Sequence, residues 1–234
     1  MTTAIPHRTA AFGTQAEQLG WYATGASVAF LIPFVFSSVL DLNHDVYYAG
    51  YFAGVAGFLG LYVRSTGADV GGFFRQNARW SLGLGLLAAA FVVFNVLNRE
   101  DSTPHPGGAY FAFEIAWRGV VYGTVDALLL TAFPALVAFT LLEKRVAGPA
   151  RRLAFAAVAF VLVVVITATY HLGYEQFRED GVSGPEIGNT IISVPALVSV
   201  NPVGSIVAHA SMHVAAVAHA YETDVFLPPQ TDAE

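Results

Sequence analysis

Apolar residues run along this chain in blocks about as long as a bilayer is thick, with short polar stretches between them. Residues 21–40, 46–63, 80–97 and 153–171 each supply close to the ~20 residues that a transmembrane helix needs. Residues 110–142 form a longer block, and Gly119, Gly123 and Pro134 within it predict a bent or tilted helix. Residues 187–200 are apolar but short and carry Pro195, so they read either as a thin sixth crossing or as a re-entrant piece. Pro202 and Gly204 separate them from a final helix over 205–221. Within the second block, Gly50-x-x-x-Gly54 is a small-residue spacing suited to close helix packing. The pattern predicts an all-α, polytopic membrane protein with 6–7 transmembrane helices. Residues 1–20 form an N-terminal segment, 21–221 a single helical domain whose site-bearing half is about 110–220, and 222–234 a polar tail. No internal repeat is visible.

Composition sharpens this picture. The chain is 55% hydrophobic and 12% charged, against about 25% charged for a typical soluble domain. Cysteine is absent, which excludes disulfides, thiolate metal sites and a cysteine nucleophile. No basic region followed by a short apolar run and a small-residue cleavage site opens the chain, so no removable signal peptide is expected. The expected surroundings are a lipid bilayer, with no nucleic-acid partner, and the sequence leaves the oligomeric state open.

The basic residues then orient the helices. Numbering the two sides alternately, the N-terminal side collects Arg8, Arg64, Arg75, Arg79, Lys144, Arg145, Arg151 and Arg152, and the opposite side only Arg99 and Arg178. The positive-inside rule places the N-terminus in the cytoplasm of a multi-pass cell-membrane protein. The far side gathers Asp41, Asp45, Glu100, Asp101, Glu175, Glu179, Asp180 and Glu186 instead.

Against this apolar background the ionisable residues inside the spans stand out, because such groups persist in membranes mainly where they pair or line a polar cavity. Glu114 and Arg118 are four residues apart, on one face of a helix. At 1.5 Å per residue Glu114 lies about 6 Å below the outer end of its span, near the expected level of His171 at the end of the next. His209 and His213 are also four apart, and two imidazoles on one helix face suit Zn²⁺, with a third His or a Glu completing the set. The five residues Glu114, Arg118, His171, His209 and His213 are expected to share one outward-opening cavity. Asp126 lies about 18 Å further along its helix than Glu114, off the same face, and is left outside this site. His219 reads as a packing residue, and His7, His44 and His105 as loop residues. On residue chemistry alone Glu114–Arg118 is equally a structural ion pair or a catalytic one.

Phe113-Glu114-Ile115-Ala116-Trp117-Arg118-Gly119, then Thr167-Ala168-Thr169-Tyr170-His171-Leu172, then His209-Ala210-Ser211-Met212-His213, follow in the order of a known set of motifs. Over residues 110–220 the chain resembles the CPBP family of CAAX-type and bacteriocin-processing intramembrane proteases. That family carries Glu-Glu-x-x-x-Arg on one helix, Phe-x-x-x-His at the end of the next and His-x-x-x-Asn/Asp on a late one. Here Phe113 stands in place of the first Glu, Thr167 in place of the Phe and His213 in place of Asn or Asp. The resemblance implies an intramembrane endopeptidase acting on a membrane peptide or protein, with Glu114, Arg118, His171 and His209 as catalytic residues. Water between Glu114 and His171 would be deprotonated, directly or on a Zn²⁺ held by His171, His209 and His213, and Arg118 or a histidine would stabilise the oxyanion. With the family's base replaced by Phe113, the alternatives are a catalytically inactive scaffold of the same fold, a membrane metal-binding protein or a metal-dependent lipid hydrolase.

Overall fold

The computed structural model describes residues 14–223 and Pro228, and among these it is all-α. Five helices are long and apolar enough to cross a membrane: α1 (Gln15–Val39), α2 (His44–Thr66), α4 (Ala78–Arg99), α5 (Gly108–Leu141) and α6 (Pro149–His171). Short helices α3 (Val70–Arg75) and α7 (Glu175–Asp180) lie in the connections. Two further helices, α8 (Ser183–Ser199) and α9 (Val203–His219), complete the bundle. The chain is a polytopic helical membrane protein. Most of the N-terminal segment and of the C-terminal tail lies outside the described residues.

Local chemistry sets the helix ends. The Asn43 side chain accepts from the Val46 amide at 3.1 Å to open α2, and Gly67, with φ +60°, closes it. Pro149 occupies the first turn of α6, where its missing N–H costs nothing. α1 begins at Gln15, ahead of the expected residue 21, with Thr14 as its cap.

α5 is the centre of the bundle. Its most apolar stretch is 83% buried, whereas those of the other four long helices are 28–39% buried. Those four turn Leu31, Phe52, Leu61, Leu87, Phe91, Phe94, Leu153 and Val161 outward. In water such a belt would be costly; in lipid it is the ordinary exterior. α5 is not uniformly α-helical, because residues Ile115–Tyr122 and Leu128–Ala132 are wound as π-helix, the second just before Pro134. Helices absorb proline and side-chain insertions in this way, and such turns recur at functional sites.

The end contacts show how far α8 reaches. At the N-terminal side, Asn77 Nδ2 donates to the Ser199 carbonyl at 2.8 Å and Gln76 Nε2 to that of Val200 at 3.1 Å. Asn201 Nδ2 reaches the carbonyl oxygens of Phe74 at 2.8 Å and Gln76 at 2.6 Å. At the opposite side, the Thr103 amide donates to the His219 carbonyl at 3.0 Å, joining the far ends of α4 and α9. α8 thus runs from the end of α7 to the start of α4. It begins at Ser183, earlier than residue 187, because Gly184, Pro185, Glu186 and Asn189 disguise its first turns in the sequence while Pro185 fits an opening turn.

Candidate functional site

α5 carries three side chains of charged type, Glu114, Arg118 and Asp126, and the structure sends them to two different places. Near its N-terminal end the buried Glu114 carboxylate pairs with Arg118 Nε one turn on. A guanidinium nitrogen of Arg118 also lies 3.5 Å from Asp45 at the start of α2. Tyr221, beyond the end of α9, donates its hydroxyl to Glu114 Oε2 at 3.2 Å and lays its ring 5.0 Å from the guanidinium. Burial pushes the Tyr221 hydroxyl up to about 12, so it remains a donor to the carboxylate at ordinary pH. This group ties α2, α5 and the end of α9 together. Glu114 and Arg118 do not line the cavity that holds the histidines.

The other carboxylate of α5, Asp126, faces that cavity. Its Oδ2 lies 3.0 Å from His209 Nε2 and 3.9 Å from His213 Nε2. The two imidazoles are stacked, with centroids 5.1 Å apart and 12° between planes, as side chains four apart on α9 should be. Close helix approach makes the meeting possible. A Cβ at Gly123 would stand 2.9 Å from the Ala210 Cα and 2.9 Å from His213 Cδ2, so only glycine lets α9 come this near to α5. Asp126 is buried, and the nearest arginine on its own helix, Arg118, is committed to Glu114 and Asp45. A buried carboxylate needs a compensating positive charge, which a protonated imidazole or a bound metal ion would supply. His213 has no hydrogen bond on either ring nitrogen, and His209 Nδ1 also lacks one. Asp126, His209 and His213 each offer one donor atom within 4.8 Å of the others and can hold a metal ion; with Nε2 as the ligand atom, such a cation would balance the carboxylate and give His213 Nε2 a partner.

The cavity beside this group has a volume of about 280 Å³. Leu130, Ile192 and Met212 line it, and it opens towards the exposed Arg99 and Gln176, at the end of α4 and the start of α7. His171 forms part of the wall, and its Nδ1 is 2.8 Å from the Thr167 carbonyl. A carbonyl only accepts, so Nδ1 carries the proton and Nε2 keeps its lone pair. His171 thus shares the cavity with His209 and His213 but stands outside the close group of three, where Asp126 takes its expected place. Asn189, whose Nδ2 lies 2.6 Å from Thr167 Oγ1, leaves an unpaired amide oxygen on the same wall.

Behind Asp126 lies a nest of buried tyrosines that pattern reading passed over. Tyr51 donates to Asp126 Oδ1 at 2.5 Å. Tyr122 and Tyr170 hydroxyls are 2.5 Å apart, Tyr170 and Tyr174 2.6 Å, and Tyr47 closes on Tyr174. Tyr47 and Tyr51 sit four apart on α2, as do Tyr170 in the last turn of α6 and Tyr174 just beyond it, and that doubled spacing is the available signal.

Straight α-helical geometry excludes Asp126 from the site. The π-helical turn over Ile115–Tyr122 closes with i→i+5 bonds, which place more residues in each turn and rotate everything beyond it. That rotation changes the face on which Asp126 emerges relative to Glu114. No family model, curated protein or solved structure matches the chain. Fold and site together define a polytopic helical membrane protein with a buried Asp–His–His group able to hold a metal ion.

Proposed function

We propose that this protein is a membrane-embedded, divalent-metal-dependent hydrolase whose ion, Zn²⁺ by the nature of its donors, is held by Asp126, His209 and His213. One observation carries the reading: three donor atoms lie within 4.8 Å of one another beside a cavity of about 280 Å³ with a mouth. Structural zinc sites are closed by four protein ligands, whereas catalytic ones keep a position open, and this group offers three. When bound, such an ion polarises a carbonyl and lowers the pKa of water.

The protein's own contribution is positional. His171 Nε2, its tautomer held by the Thr167 carbonyl, can take a proton from the attacking water and return it to the leaving group. The amide oxygen of Asn189 can accept a hydrogen bond from an N–H or O–H of the substrate. Leu130, Ile192 and Met212 exclude water around the reacting bond. Glu114 and Arg118 serve here as an internal brace between helices, not as base and oxyanion partner. The substrate is an ester or amide of small-molecule or headgroup size, since about 280 Å³ is at the low end for ligand pockets. A peptide, the substrate class that the CPBP resemblance implies, would have to enter such a cavity as an extended segment. With the N-terminus cytoplasmic, as the basic residues argue, the mouth faces away from the cytoplasm of a cell-membrane protein. The second reading is a metal-binding membrane protein without turnover, favoured by the complete burial of all three donor residues.

Elemental analysis of protein purified without chelator tests the site, with one zinc per chain expected. Asp126→Asn and the double variant His209→Ala/His213→Ala should lose it, while Glu114→Gln should keep it. Absence of metal from wild-type protein, or metal indifferent to these substitutions, rejects the centre. Metal-loaded protein inert towards ester, amide and peptide panels leaves the second reading.

A further inference from the structure

Resting on the metal centre proposed above, we infer that Tyr51 is a positioning residue that makes Asp126 a one-oxygen ligand and so keeps a coordination position open. Tyr51 comes from α2, a helix that contributes no ligand, and its hydroxyl lies 2.5 Å from Asp126 Oδ1. A carboxylate only accepts, so Tyr51 is the donor and its proton is directed at Oδ1. Oδ2 is then the oxygen left to face His209 Nε2 at 3.0 Å and His213 Nε2 at 3.9 Å.

The ring of Tyr51 is fully buried and held on three sides. It stacks on Tyr47 at 6.0 Å and meets Tyr122 at 5.3 Å and Tyr170 at 5.7 Å. A hydroxyl carried by so constrained a ring fixes the carboxylate plane as well as capping one of its oxygens. Partners of this kind orient metal ligands, and their loss typically lowers metal affinity about 10- to 100-fold. Without the hydroxyl, Oδ1 becomes a buried acceptor without a donor. The carboxylate then turns to bring both oxygens to the ion, filling the place that water or substrate requires.

Cobalt(II) is the probe, because four-coordinate cobalt–imidazole–carboxylate sites have intense visible bands that weaken when coordination rises. Tyr51→Phe should bind Co²⁺ about 10- to 100-fold more weakly and show weakened bands. Tyr47→Phe is the control: it removes a hydroxyl from the same ring stack, but one bonded to Tyr174 and not to Asp126. Its affinity and spectrum should match wild type. A Tyr51→Phe protein with wild-type affinity and bands, or a Tyr47→Phe protein that loses cobalt equally, overturns the role of Tyr51 alone. Wild-type protein that takes up no cobalt overturns the metal centre itself and this role with it.

Discussion

Removing Arg118 should damage the protein far more than neutralising its buried partner. Arg118 compensates two carboxylates, the fully buried Glu114 and the half-exposed Asp45 at 3.5 Å. In Arg118→Met, Glu114 keeps the Tyr221 hydroxyl at 3.2 Å but no counter-charge. Leaving a buried charge uncompensated in this way costs about 3–5 kcal/mol. Glu114→Gln is milder, because Arg118 retains Asp45 and the Tyr221 ring at 5.0 Å, and the amide can still accept from Tyr221. Its cost is that of a weakened buried hydrogen bond, about 1–2 kcal/mol. The difference, about 2–3 kcal/mol, is roughly a 30- to 150-fold difference in unfolding equilibrium constant. Reversible unfolding of both variants in mixed micelles with increasing SDS, followed by circular dichroism, measures it, with zinc content determined alongside. Equal destabilisation by the two substitutions would refute the charge accounting. A Glu114→Gln protein of wild-type stability that had lost its zinc would put Glu114 back among the metal-site residues.

Two further outcomes follow from packing and from charge. Gly204→Ala places a Cβ 2.0 Å from the Ser81 carbonyl oxygen and 3.1 Å from the Gly85 Cα, where α9 crosses α4. Since the obstacles are backbone atoms, the helices must part, costing about 1–3 kcal/mol; Gly57→Ala, with nothing within 4 Å, should melt like wild type, and equal melting of the two variants would refute the contact. For orientation, a membrane-impermeant thiol reagent applied to intact cells should label Ser102→Cys and Ser183→Cys but not Ala147→Cys, all three positions being exposed on the bundle. The reverse pattern would turn the cavity mouth to the cytoplasm.

Much of the fold was written in hydropathy alone. Transmembrane helices satisfy their own backbone and face a uniform solvent, so length and apolarity are nearly sufficient to place them. The five long helices, and the histidine pair four apart on a final helix, are legible for that reason. α8 was half hidden, because its polar and proline-bearing first turns line a cavity instead of lipid. The make-up of the site was decided by tertiary structure. Straight α-helical counting groups Glu114 with the histidines and discards Asp126, but the π-helical turn in α5 alters the face on which Asp126 emerges. Gly123 then lets α9 approach until the two imidazoles reach Oδ2. Tyr51 was beyond reach of any one-dimensional pattern, since its meaning is a contact with a residue 75 positions away on a different helix. Hydrophobic periodicity reports which face of an element avoids water; which polar groups meet inside depends on helix winding and interhelical distance, and both are properties of the packed bundle.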